Sequence, residues 1–162
     1  MKLKPLPPTE EKQAERKAEV VEWAKQTLAD PDVLIVDVET TGLLHKDPDT
    51  EIVQVSIINI EGRVVFSTLV NPGRPIPLEA QKVHGIDDRM VRHAPRFDQC
   101  IGDLIAGCFH EKTVLAYNAG FDIHLIVTLM QKYDVPIPDF DAVCVMEEYS
   151  AFVGDWSKTK ND

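Results

Sequence analysis

The chain has 162 residues and a formal net charge of −10, a length that houses one hydrophobic core and leaves little for a second. With 44% apolar and 27% charged residues, it is too apolar for a disordered acidic tail, and no apolar run approaches the roughly 20 residues of a bilayer span. All of the net charge lies beyond residue 30, where 11 basic residues face 21 acidic ones. That balance argues against a broad basic surface for nucleic acid, though not against a polyanion reached through bound divalent cations.

Met1 to Pro8 lacks the apolar stretch of a secretory leader, which predicts a cytoplasmic protein with no membrane partner. Pro5 to Pro8 is a stiff lead. Thr9 then offers an N-cap to a helix over about 9–29, with Glu10 and Glu11 in its first turn and Ala14, Ala18, Val21, Ala24 and Leu28 along one stripe, widened by Val20 and Trp23. Residues 1–30 form this lead and amphipathic helix, which packs on the domain or on a protein partner; residues 31–162 form the main domain. Val33 to Val38 reads as a strand buried on both faces. Residues 51–60 and 63–70 are two further strands joined at Glu61-Gly62. Asn71 to Pro77 is irregular, followed by helix over 78–84, a second piece from about Asp87, and a helix from Pro95 to about Cys108 with Phe97, Ile101, Leu104, Ile105 and Cys108 on one face. Thr113 to Tyr117 is a fourth strand, Gly120 to Tyr133 a helix, Asp141 to Val145 a fifth strand and Met146 to Phe152 a helical fragment. The tail from Gly154 is polar and loose. The three cysteines, Cys100, Cys108 and Cys144, have no CxxC spacing and predict buried apolar side chains, not disulfides or a zinc site. The order of elements predicts an α/β fold on a mixed sheet, antiparallel at one edge and parallel at the crossovers.

Asp37 and Glu39 stand at positions i and i+2 of the first strand and so project to the same face at its end. Two like charges there repel unless a cation lies between them, and oxygen-only ligands suit Mg²⁺ or Mn²⁺. The plainer alternative is a pair of turn residues before Thr40-Thr41-Gly42, yet unpaired carboxylates seldom end a central strand. Asp122 lies in the first turn of the helix after the fourth strand. If that strand runs parallel beside the first, all three acids reach one sheet edge.

Val36-Asp37-Val38-Glu39-Thr40-Thr41-Gly42-Leu43 resembles the first motif of the DEDD superfamily of 3′→5′ exonucleases, in particular its proofreading-subunit-like (epsilon) branch. Val83 to Asp87 followed by Ala94 to Phe97 is similar to that branch's middle segment, and Tyr117-Asn118-Ala119-Gly120-Phe121-Asp122 to its second motif. The resemblance implies a ribonuclease H-like fold with a five-stranded mixed sheet flanked by helices. It also implies release of nucleoside monophosphates from a 3′ end of single-stranded DNA or RNA by two divalent ions. By position, Asp37, Glu39 and Asp122 become catalytic metal ligands, Thr40 and Leu43 fall where the family meets the terminal nucleotide, Asn118 and Phe121 where it lines the same groove, and His84 is a candidate base contact. Core packing is the alternative for Leu43 and Phe121, and a structural role for His84. A polymerase or other protein is an implied partner.

The family's last motif, Tyr-x-x-x-Asp or His followed five residues later by Asp, has no match after Asp122. The sequence is therefore expected to be a fragment of a longer exonuclease or, as the alternative, an inactive module that binds nucleic-acid ends or a partner. In either case turnover is expected to be weak or absent, since a general base contributes about 10²–10⁴ in rate. Arg89, Arg92, His93 and Arg96, with Lys82 before them, are the one locally basic stretch: a phosphate guide or a solvated face. An aspartyl-phosphate hydrolase is disfavoured because the second acid is Glu and hairpins follow the first strand.

Overall fold

A computed structural model describes residues 9–154. The expected Pro-rich lead and the tail beyond Gly154 lie outside the described residues. Thr9 accepts the Lys12 N–H at 3.5 Å and opens α1 (Glu10–Ala29). None of its twenty residues is buried. The helix contacts α6 (Val145–Val153), where Lys17 sits 4.7 Å from the centre of the Phe152 ring, while Val21 and Leu28 of the expected stripe stay exposed. No helix among the described residues is long and apolar enough to cross a membrane.

The sheet contains β1 (Val33–Thr40), β2 (Ile52–Asn59), β3 (Val64–Leu69), β4 (Thr113–Ala116) and β5 (Asp141–Cys144), in the spatial order β3-β2-β1-β4-β5. β1 pairs antiparallel with β2 and parallel with β4, and β4 pairs parallel with β5. This is the expected mixed five-stranded topology. The β2–β3 turn is closed by the Asn59 side chain, which accepts the Glu61 and Arg63 N–H groups, and by Gly62 at a φ of 78° that other residues resist.

One sheet face carries Leu34, Val36, Val38, Val55 and Ile57 and is covered by two helical layers. The first is a π-helical turn, Phe97–Ile101, running into α4 (Gly102–Phe109); the second is α5 (Asp122–Lys132). The single helix expected from Pro95 to Cys108 is thus two pieces. The wider π turn sets Phe97, Ile101, Ile105 and Phe109 four apart on the core side and leaves Leu104 48% exposed, contrary to the stripe read from a 3.6 period. A second correction concerns β1. Only one of its faces is fully covered: Ile35 and Glu39 are half-buried and Asp37 is exposed. The three cysteines are free and half-buried, not buried.

The segment 71–77 is irregular yet anchored. Asn71 Oδ1 accepts the Gly73 N–H, and buried Ile76 donates its N–H to Asp88. It leads into α2 (Leu78–His84) and the short α3 (Asp88–Val91), whose Asp87 cap accepts the Arg89 and Met90 N–H groups.

Candidate active site

β1 outruns its neighbour. The last β1–β4 ladder pair is Ile35 with Leu115, and beyond Ala116 the chain turns off through Tyr117 to Phe121. The Asn118 carbonyl accepts the N–H groups of Phe121 and Asp122 at 2.8 and 3.1 Å, a turn that brings the first residue of α5 back over β1. There the Val38 N–H, which has no strand partner on that side, donates to Asp122 Oδ1 at 3.2 Å. A hydrogen bond thus ties positions 84 residues apart, at the place where Asp37 and Glu39 flank Val38.

Asp122 is only 6% exposed. Burial pushes its carboxyl up to about 6; the Val38 N–H pulls it back, and the negative charges of Asp37 and Glu39 raise it further. Asp122 therefore feels the negative charge of both β1 acids. Among the described residues, no three His, Cys, Asp or Glu side chains close around one point as a finished metal cage. The donor set is nevertheless all carboxylate oxygen, the type hard divalent ions take, and Asp122 is a buried acid whose charge a cation would compensate.

Beside the acids runs a groove of about 530 Å³ between the loop after β1 and α2, with Val38 to Leu43 and Phe121 along its base and Pro77, Ala80, Val83 and His84 on the α2 side. Thr40, Leu43, His84 and Phe121 thus share one concavity with Glu39. Asn118 is not on its wall: its carbonyl shapes the turn that delivers Asp122. Thr40 Oγ1 is engaged with the Gly42 carbonyl at 2.7 Å, next to the register shift that ends the β1–β2 ladder. The Ile86 N–H donates to His84 Nδ1 at 3.0 Å, so Nδ1 must accept and the ring proton sits on Nε2, 3.2 Å from the Thr40 carbonyl. His84 therefore holds the end of α2 against the end of β1, the structural role, while its ring still lines the groove. Leu43 is 40% exposed and free to touch a ligand, whereas Phe121 packs partly against the core.

The sequence missed what fixes the loop. Thr41 N–H donates to the Glu51 carbonyl, and Glu51 N–H to Thr41 Oγ1. Buried Glu51 in turn accepts bonds on Oε1 from Lys132 and Tyr133, both at 2.7 Å. No local pattern announces that contact, since its partners lie some 80 residues away. Two members of the basic stretch are spent on their own loop: Arg89 pairs with Asp87, and Arg96 pairs with Asp98 while lying over Gly73.

The exonuclease family model RNase_T matches residues 34–156. The chain belongs to this exonuclease family. An uncharacterized exonuclease of Escherichia phage 186, CP81, is 35% identical over 149 residues, which are 88% of this chain and 74% of that protein. A DNA polymerase III subunit epsilon-like protein of Rhodobacter capsulatus is 37% identical over 115 residues, 65% of this chain but only 16% of that protein. Among solved structures, Exonuclease X in complex with 5′-overhanging duplex DNA superimposes with a TM-score of 0.52 at 27% identity, over 80% of this chain and 68% of that one. The exonuclease match and its epsilon-like relatives agree with the ribonuclease H-like sheet and the DEDD resemblance of the motifs.

Proposed function

We propose that this exonuclease-family domain is a divalent-metal-dependent 3′→5′ exonuclease that removes nucleoside monophosphates from single-stranded DNA or RNA ends, with residues 31–154 carrying the site and α1 as an appended helix. The observation that carries the reading is the buried Asp122 carboxylate bonded to the N–H of Val38, the residue between Asp37 and Glu39, beside a groove of about 530 Å³ whose wall includes Glu39. Asp37, Glu39 and Asp122 would hold Mg²⁺ or Mn²⁺. Such ions activate water and stabilise the leaving oxygen in phosphodiester hydrolysis. Val38 N–H fixes the Asp122 carboxylate through one oxygen and leaves the second for an ion. Leu43 and Phe121 offer apolar surface to the terminal base and sugar, and His84 keeps the groove wall in place.

The absence of a Tyr-x-x-x-Asp or His-Asp pattern after Asp122 favours weak turnover for these 162 residues and supports a second reading, an end-binding module. Both are tested by incubating 5′-labelled single strands and recessed-end duplexes with Mg²⁺ or Mn²⁺. Slow shortening from the 3′ end, abolished in Asp37→Asn and Asp122→Asn, is expected. Metal-independent binding with no shortening would transfer the conclusion to the end-binding module, and shortening from the 5′ end would refute the polarity.

A further inference from the structure

We propose that Lys46 is a phosphate-binding residue of the groove, taking the phosphodiester upstream of the terminal nucleotide; this rests on the nucleic-acid-end reading above. The groove has two kinds of wall. Leu43, Pro77, Ala80, Val83 and Phe121 suit a base and sugar, but a nucleotide strand also brings one negative charge per residue into a place already holding Glu39, Asp47 and Glu79. Asp47 is accounted for: the Asp49 N–H and then the Arg74 guanidinium, 2.9 Å away, hold its carboxyl below the usual range. Lys46 is the one Lys or Arg on the groove wall, and its ammonium makes no hydrogen bond or ion pair with any described residue.

Its backbone is also held in place. The N–H groups of Lys46 and Asp47 both donate to the Leu43 carbonyl, at 2.8 and 3.0 Å. Thr50 Oγ1 closes on the Asp47 carbonyl at 2.7 Å, and Arg74 Nη1 on the Asp49 carbonyl at 2.6 Å. An unpaired ammonium on an anchored turn, beside exposed Leu43, needs little reordering to meet a phosphate whose base rests on the apolar wall. A lysine contact of this kind reads charge and not sequence or sugar.

The test measures binding of a labelled oligothymidylate to the full chain by fluorescence anisotropy across a KCl series, with Ca²⁺ in place of Mg²⁺ so that binding is read apart from cleavage. Loss of one phosphate contact on a single strand lowers the slope of log K against log [KCl] by about 0.7. Lys46→Ala is expected to show that drop, Lys46→Arg to retain the slope, and Arg63→Ala, on the β2–β3 turn at the other end of the sheet, to match the unmodified chain. Binding by the unmodified chain with an unchanged slope in Lys46→Ala overturns the assignment of Lys46 alone. Failure of the unmodified chain to bind overturns the nucleic-acid-end reading and this inference with it.

Discussion

Replacing Asp122 by Asn should make the metal-free protein more stable while removing its activity. The carboxyl titrates at about 6 in the fold against 3.8 as the ordinary value, with burial first and Asp37 and Glu39 next among the causes that raise it. At about 1.4 kcal/mol per pH unit, ionising it in place costs about 3 kcal/mol. A folded value above the unfolded one means that the proton's stabilising contribution is full below about pH 4 and is lost as pH rises through about 6. The amide of the variant would keep a carbonyl oxygen for Val38 N–H and discard the charge. In EDTA at pH 8, Asp122→Asn should therefore melt about 6–12 °C higher than the parent chain, with the gap closing toward pH 4. Thermal and urea unfolding across pH 4–8 measure this directly. Mg²⁺ should raise the parent's melting temperature more than the variant's, since only the parent presents all three carboxylates to an ion. A variant that is less stable than the parent by the same amount at every pH would show that Asp122 is not a desolvated acid raised by its neighbours' charge, and the metal reading would lose its support.

Removing the Tyr133 hydroxyl with Tyr133→Phe should cost about 1 kcal/mol, while Lys132→Met, which leaves buried Glu51 without its cation, should cost about 1–2 kcal/mol after allowing for the partial exposure of Lys132; a double-mutant cycle in urea reads both. A methyl group at Gly102 would meet Val135 Cγ2 at 2.8 Å and Phe97 Cε1 at 2.9 Å, so Gly102→Ala should lose about 1–3 kcal/mol. Gly107→Ala, in the same helix with nothing within 4 Å, should gain about 0.5–1 kcal/mol; equal effects from the two would contradict the packing of α4. His84→Ala gives up the bonds to the Thr40 carbonyl and the Ile86 N–H and should cost about 1–2 kcal/mol of stability while raising KM for single strands, an outcome checked by paired unfolding and exonuclease assays.

Local pattern determined much of this protein. The apolar run before Asp37, the Glu61-Gly62 turn and the Thr9 cap specify elements whose bounds fall within a few residues of those observed, because strand alternation, turn chemistry and capping act over short stretches of chain. The period-2 geometry of a strand likewise sets Asp37 and Glu39 on one face before any fold is known. Asp122 was already legible as the third acid on the condition that β4 runs parallel beside β1; tertiary structure supplied that pairing and decided what holds the groove. The Asp122–Val38 bond exists because β4 ends early and exposes an N–H on β1, and the Glu51 contacts with Lys132 and Tyr133 join segments some 80 residues apart. The π turn before α4 likewise withdrew Leu104 from the core, since one widened turn shifts the face that a regular helical period assigns. Such pairings arise from where strands stop and helices turn, and that is settled by packing across the sheet, not by the residues on either side.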